Sequence, residues 1–532
     1  MKKRQHLYKI LLLCSLFSGG FLDSLLAQQK ADILIRNARI VDGSGNPWFR
    51  GDIAIRGDRI AAIGNLAGWK GEREIDAKGL IAAPGFIDVH THIEGDEAEN
   101  PEATNFIYDG VTSVITGNCG SSNLEVEKYY RWLDSVKLSV NTATLVGQNN
   151  IRRAVMGRAN RPATEGEMKS MDSIMIKAME EGALGLSTGL IYIPGSYTPT
   201  SEIVRLAKIA GKYGGVYATH MRSEGDSVLP AIKEALFIGE QASIPVEISH
   251  FKVAGQQNWG RSKETLALVE AARKNGLDVT IDQYPYTASS TSMSTLFPDW
   301  ALADGQDSIK ARLANPALRD SIKNSMIESL GKRKLAHWDY AVVAYYGPDT
   351  NFNGKSVEAI NQMMNRPHTT ASEAETICGM MENGGAGMVF HGMSEDDVKY
   401  IMKYPFNMFA SDASIRIWNK GVPHPRGYGT NARVLGKYVR QEQVIPLEEA
   451  IRRMSSLPAQ RFKLTDRGLL REGMAADIVL FDENTVTDAA TFEQPHQYSK
   501  GFQWVLVNGK VTMEQGMHTG VRSGQILYKQ PY

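Results

Sequence analysis

What constrains this chain most is an alternation. Between residues 86 and 414, eight short apolar runs read as strands: FIDVHTH (86–92), TSVITGNCG (112–120), TATLVGQ (142–148), LGLSTGL (184–190), GVYATHMR (215–222), VEISHFK (246–252), DVTIDQYPY (278–286) and NMFASDAS (407–414). Between most of them lie stretches with apolar residues at helical spacing. SEIVRLAKIAGKYG (201–214) and SKETLALVEAARKNG (262–276) are examples, the second ending on a glycine stop. Strands that alternate with helices pair in parallel, and eight such units argue for a closed (β/α)8 barrel, the TIM barrel of the α/β class. A ninth run, GMVFHG (387–392), ranks as an accessory element outside the barrel.

The two ends of the chain are patterned differently. ADILIRNARIVDGSG, GDIAIRGDRIAAIG and EIDAKGLIAAPG alternate apolar and polar positions between Gly and Asp punctuation, as short antiparallel strands do. GMAADIVLFD (473–482) and FQWVLVNGKVTMEQG (502–516) repeat the style, with Asn508-Gly509 suited to a hairpin turn. Residues 28–84 and 466–532 are therefore expected to form one small β-sandwich built from both termini, around a barrel spanning 85–465. From about 287 to 347 the alternation breaks down. Structureless stretches longer than about 15 residues are usually functional or disordered. An insertion after a late barrel strand stands at the catalytic end, so a lid is expected there.

Residues 1–27 stand apart. Lys2, Lys3, Arg4 and Lys9 flank an apolar run over 10–17, and Leu25-Leu26-Ala27 offers a cleavage point. This is the pattern of a secretory signal, so the chain is expected to be exported, periplasmic or secreted. The whole chain balances 59 basic against 59 acidic residues; without the signal, 55 and 58 remain, a net charge of −3. Such a chain has no basic surplus to attract nucleic acid or an acidic membrane surface, and nothing in it specifies an oligomeric state. With 42% hydrophobic and 22% charged residues it is neither collagen-like nor disordered. Of its three cysteines, Cys14 leaves with the signal. Cys119 and Cys378 are too few for a disulfide framework, though one bridge is not excluded by count. Cys378, beside Met380 and Met381 in a helical stretch, reads as buried and inert.

Chemistry concentrates in a few side chains. His90 and His92 are two apart and project from one face of a strand. Cys119, His220, His250 and Asp412 each stand at or near the C-terminal end of a different predicted strand, and those ends converge in a parallel barrel. Any one histidine has an ordinary reading as a hydrogen-bonded barrel residue, and Asp412 as a helix N-cap. Together, imidazole, thiolate and carboxylate are the groups that bind zinc, and a catalytic site leaves one position for water. A metal-bound thiolate would keep Cys119 out of disulfide chemistry.

PGFIDVHTH, ITGNCG, EEGALGLSTGL, THMRSE, ISHFK, DQYPYTASST, SDAS, PHPRGYGT (423–430) and the closing GMAADIVLFD together resemble the amidohydrolase superfamily, and within it the D-aminoacylase (N-acyl-D-amino-acid deacylase) family. The resemblance covers essentially the whole chain after the signal. It implies that a cysteine takes the bridging place held in hydantoinase-like relatives by a carbamylated lysine, which the LGLSTGL strand lacks. On that pattern Cys119, His220 and His250 hold a tight Zn2+, while His90, His92 and Asp412 form a second, weaker or vacant site. Asp412 matches the catalytic base, taking a proton from the attacking water and delivering it to the leaving amine. Tyr192, Lys252, Tyr284 and Arg426 match residues that hold the substrate's α-carboxylate, a role for which phenol and cationic donors are suited.

The resemblance thus implies a zinc hydrolase that cleaves small-molecule N-acyl-D-amino acids to a carboxylate and a D-amino acid. Relatives acting on acidic substrates carry a cation after the YPY motif; this chain has none from Gln283 to Trp300, which favours neutral or apolar side chains unless the insertion supplies an arginine. Two other readings stay open: an amidohydrolase of D-amino-acid-containing dipeptides or cyclic amides, and a non-catalytic periplasmic binding protein on the same barrel. His391 reads either as a neighbour of the metal ligands or as a packing group.

Overall fold

All eight strands predicted between residues 86 and 414 form, and they run parallel. The computed structural model describes residues 29–529; the signal-like segment 1–27 lies outside the described residues. In chain order the barrel strands are Phe86–Asp88, Val111–Thr116, Asn141–Thr144 (continued by Val146–Gly147), Gly185–Gly189, Val216–His220, Val246–Ile248, Val279–Gln283 and Asn407–Phe409. Neighbours pair in parallel around the ring. It closes where Thr91 bridges Ala413 and the His92 N–H donates to the Ala413 carbonyl at 2.9 Å.

The crossover helices bury one face each. In Thr200–Lys212 the buried apolar residues are Ile203, Leu206, Ala207 and Ala210, and Ser262–Lys274 buries Leu266, Val269 and Ala272. The first set falls at i, i+3, i+4, i+7 and the second at i, i+3, i+6, each a single stripe. A glycine with positive φ follows each helix, Gly214 at 68° and Gly276 at 93°. Helix Glu165–Glu180 starts from a reciprocal Thr164–Glu167 capping box.

The two termini meet in one nine-stranded sheet, joined where Ile81–Pro84 pairs antiparallel with Ile478–Phe481. Its residues alternate between two cores. Ile478 and Leu480 pack with Ile33, Ile35, Ile53 and Ile55, whereas Val479 and Phe481 join the core shared with the barrel. Asn508 and Gly509, with φ of 48° and 71°, turn the expected hairpin between Phe502–Val507 and Lys510–Glu514.

Between the seventh and eighth barrel strands the chain makes a long excursion. Ala288–Ser292, Gly387–His391 and Ala341–Tyr345 form a three-stranded antiparallel sheet. Helices that include Gln306–Ala314, Pro316–Lys332 and Thr370–Glu382 pack with it around Met326, Trp338, Val343, Ile377 and Met388, a core of its own. The excursion therefore ends near His391, well beyond the expected limit at 347. The run at 387–392 is indeed outside the barrel, but it is the strand that pairs with 288–292 and completes the inserted sheet. Strand Ala341–Tyr345, at the expected limit, pairs with Gly387–His391 and so belongs to the inserted sheet, a partnership that sequence alone does not specify.

Candidate metal centre and active site

The expected donors converge at the C-terminal mouth of the barrel. His90 and His92 follow the first strand, Cys119 the second, and His250 and Asp412 the sixth and eighth; His220 is the last residue of the fifth. Cys119 Sγ lies 3.3 Å from His90 Nε2, 3.6 Å from His220 Nδ1 and 3.6 Å from His250 Nε2. Asp412 Oδ1 lies 3.2 Å from His92 Nε2 and 3.7 Å from His90 Nε2. The sulfur thus stands between two sets of donors.

These distances fit a metal. A tetrahedral zinc, with bonds of about 2.3 Å to sulfur and about 2.0–2.1 Å to nitrogen, sets a sulfur-to-nitrogen edge of about 3.6 Å. Cys119 to His220 and Cys119 to His250 both have that edge. The backbone also points to a built site. Cys119, His250 and Asp412 have φ of 51°, 37° and 49°, the left-handed region that side chains other than glycine rarely occupy. Such strain persists where surrounding structure over-determines it, and it gathers at functional sites.

Around the donors lies a shell of partners that the strand-end pattern did not single out. Asp282, on the seventh strand, stands 3.3 Å from His90 Nδ1 and accepts the His250 backbone N–H at 2.8 Å. Asp88 accepts the backbone N–H groups of His90 and Ser411, tying the first strand to the eighth. Glu224, four residues after His220 in THMRSE, lies 2.7 Å from His250 Nδ1 and 2.5 Å from Lys252 Nζ. If His250 Nε2 faces a metal, its proton sits on Nδ1 and donates to Glu224, the usual carboxylate–histidine arrangement behind a metal ligand. The i, i+4 spacing of His220 and Glu224 was the signal available in the sequence.

The electrostatics suit this arrangement. Burial disfavours a thiolate at Cys119, but attraction to His90 and hydrogen bonds from His220, His250 and His90 hold its pKa well below the usual thiol range. Burial likewise opposes the charge of Asp412, yet Arg426, then His92 and His90, keep the carboxyl well below its ordinary value. Glu224 is held ionised against burial by Lys252, His250 and His220. Both carboxylates therefore stay charged at neutral pH.

A cavity of about 400 Å³ opens onto these groups, lined by His92, Cys119, His220, His250, Asp412 and all four expected substrate residues. Tyr284 is buried, with no hydrogen-bond partner for its phenol among the described residues. The Arg426 guanidinium lies 4.5 Å from the centre of the Tyr284 ring, and its Nη1 stands 2.9 Å from Asp412 Oδ2. Tyr192 Oη is 2.9 Å from Thr291 Oγ1 on the first inserted strand, so the insertion forms part of the wall. Lys252 reaches the cavity but is already paired with Glu224. The wall also holds Arg153, which donates to Asn150 Oδ1 and the Ile193 carbonyl at 3.2 Å each. A second space of about 720 Å³, reaching out between barrel and insertion, shares Ile191, Tyr192, Glu224, Ser289 and Thr291 with the first. His391 packs edge-on against Phe492 at 4.7 Å, the packing reading of the two.

A model of the amidohydrolase family matches residues 73–288 and 368–513. The chain belongs to the amidohydrolase family. The gap in that match, 289–367, falls within the inserted unit of this amidohydrolase. It is 36% identical to a D-aminoacylase of Alcaligenes xylosoxydans xylosoxydans over 522 residues, covering 94% of this chain and 98% of the relative. An N-acyl-D-aspartate deacylase of the same organism is also 36% identical, over 94% and 96% of the two chains. Among solved structures, N-acyl-D-glutamate deacylase from Bordetella bronchiseptica, complexed with zinc and a phosphonate mimic of the tetrahedral intermediate, superposes with a TM-score of 0.80 at 34% identity, covering 94% of this chain and all of that one. A D-hydantoinase at 17% identity and a TM-score of 0.54 shares the fold alone.

Proposed function

We propose that this amidohydrolase is a zinc-dependent deacylase that cleaves the amide bond of N-acyl-D-amino acids, yielding a carboxylate and a free D-amino acid. The observation that carries the reading is Cys119 Sγ at the zinc-length separation of 3.6 Å from both His220 Nδ1 and His250 Nε2, set beside Asp412 in one cavity. The D-preference rests on the substrates named for relatives that align along nearly the whole chain.

Cys119, His220 and His250 would hold the tight zinc, and His90, His92 and Asp412 a weaker second ion. Zinc supplies Lewis acidity toward water and the scissile carbonyl. Asp412, ionised and steered by Arg426 and His92, accepts a proton from the attacking water and delivers it to the leaving nitrogen. As the new C–O bond forms and the C–N bond breaks, that nitrogen departs as a neutral amine. Tyr284, with its free phenol, joins Tyr192, Lys252 and Arg426 in holding the α-carboxylate and so places the scissile bond.

For the side chain we favour neutral or apolar residues, since Ile191, Tyr192, Ser289, Ser290 and Thr291 line the cavity and Arg153 is already engaged. The reading places the enzyme outside the cytoplasm, in the periplasm or medium, supported by the signal-like first 27 residues. The deciding experiment is a hydrolysis panel of N-acetyl-D- and L-amino acids with chelated and zinc-restored protein. Zinc-dependent release of D-amino acids is expected; faster turnover of L-forms, or turnover indifferent to chelation, refutes the proposal.

A further inference from the structure

The inserted unit gathers a second set of metal-type donors that lines neither cavity. His337 follows helix Pro316–Lys332, Glu358 opens helix Val357–Met363, and His368 and Glu373 flank the start of helix Thr370–Glu382. One donor atom from each lies within 4.8 Å of the other three. His337 Nδ1 is 2.6 Å from Glu373 Oε1, and His368 Nε2 is 2.6 Å from Glu358 Oε1 and 4.0 Å from Glu373 Oε1. The two imidazoles stack nearly parallel, with centroids 4.1 Å apart and 17° between planes.

We propose that His337, Glu358, His368 and Glu373 form a binding site for a zinc-class divalent ion, separate from the barrel centre. The charge balance argues for it. Glu373 is completely buried, so its charge needs a close cation; its other oxygen accepts only the Trp338 N–H, at 2.9 Å. Neutralising both carboxylates with protons on both histidines would set two cationic rings face to face, where they repel. A single divalent ion neutralises the pair while both rings stay neutral. Two imidazoles and two carboxylates are a donor set for zinc and its neighbours, whereas calcium and magnesium prefer all-oxygen sites. His368 is half exposed, which leaves the ion a way in.

The ion would tie together three connections of the inserted unit. One of them, at His337, leads directly into strand Ala341–Tyr345, in the sheet whose first strand lines the substrate cavity. Its role is therefore to brace that sheet, without touching the reacting atoms.

The test compares the full-length wild type, the double variant Glu358→Gln/His368→Gln and Cys119→Ala, each stripped by chelator and titrated with up to three equivalents of zinc. The wild type should bind one equivalent more than the double variant, and Cys119→Ala should retain the inserted-unit site although the barrel site is damaged. Crystals of wild type grown at the same zinc ratio should show an anomalous peak at the zinc edge within bonding distance of His337 and His368. Equal zinc content in wild type and double variant, or no such peak, overturns the proposal and leaves two ion pairs. Should the double variant fail to fold, the wild-type anomalous map decides alone.

Discussion

Glu224→Gln isolates what the carboxylate behind His250 contributes. Glu224 does two jobs: it receives the His250 Nδ1 proton at 2.7 Å and neutralises Lys252 at 2.5 Å. Glutamine keeps the shape and removes the charge. The Lys252 side chain is 3% exposed, so its ammonium would be left in the interior against His250 Nδ1 at 2.8 Å and the Tyr284 ring face at 5.4 Å, neither of them an anion. Removing one partner of a buried ion pair typically costs about 3–5 kcal/mol. Because Glu224 itself is 14% exposed, the low end, about 3 kcal/mol, is expected. Separately, losing the carboxylate behind a metal-bound histidine weakens metal binding by about 10–100-fold. Thermal melting and zinc competition against a chelator read the two effects. Adding Lys252→Met to Glu224→Gln should restore most of the stability and none of the zinc affinity, a coupling that a double-mutant cycle measures. Zinc affinity within twofold of wild type in Glu224→Gln would refute the orienting role; no rescue by Lys252→Met would refute the buried-charge argument.

Asp412→Asn should lower kcat by about 10²–10⁴-fold, the usual range for loss of a general base, while Zn2+ stays bound at the Cys119 site; activity within tenfold of wild type removes Asp412 from that role. The wild type should favour N-acetyl-D-methionine over N-acetyl-D-glutamate by at least about tenfold in kcat/KM, about 1.4 kcal/mol. A reversed order that Arg153→Ala abolishes would show that this arginine reads an acidic side chain. Burial pushes the Cys378 thiol up to about 12, so iodoacetamide at pH 8 should spare it in the folded chain and alkylate it after unfolding. Peptide mapping checks this, and equal labelling in both states contradicts its complete burial in the core of the inserted unit.

The barrel and its donors were legible because both depend on local pattern. Strands alternate with helices, and a side chain at the C-terminal end of a parallel strand has only one place to go, which is why His90, His92, Cys119, His220, His250 and Asp412 came together. Residues that matter through a neighbour left weaker traces. Asp282 and Glu224 sit inside DQYPYTASST and THMRSE, but their roles depend on which imidazole nitrogen they meet, a fact of three dimensions. Arg153 reaches the cavity from the helix after the third barrel strand, where no motif marks it, far in sequence from the YPY segment at which a cation is expected. The limit of the insertion is hidden for a similar reason: strand Gly387–His391 looks like any other until its antiparallel partner is known.

That pairing has a consequence for how such an enzyme changes over time. Ala288 lies opposite His391, so the chain leaves the barrel and returns to it at adjacent positions. With its own core, the excursion can lengthen, shorten or be exchanged without shifting the register of the seventh or eighth strand. The wall that meets the substrate is then free to vary between descendants while the catalytic end of the barrel stays as it is, so new specificities can arise by grafting rather than by rebuilding.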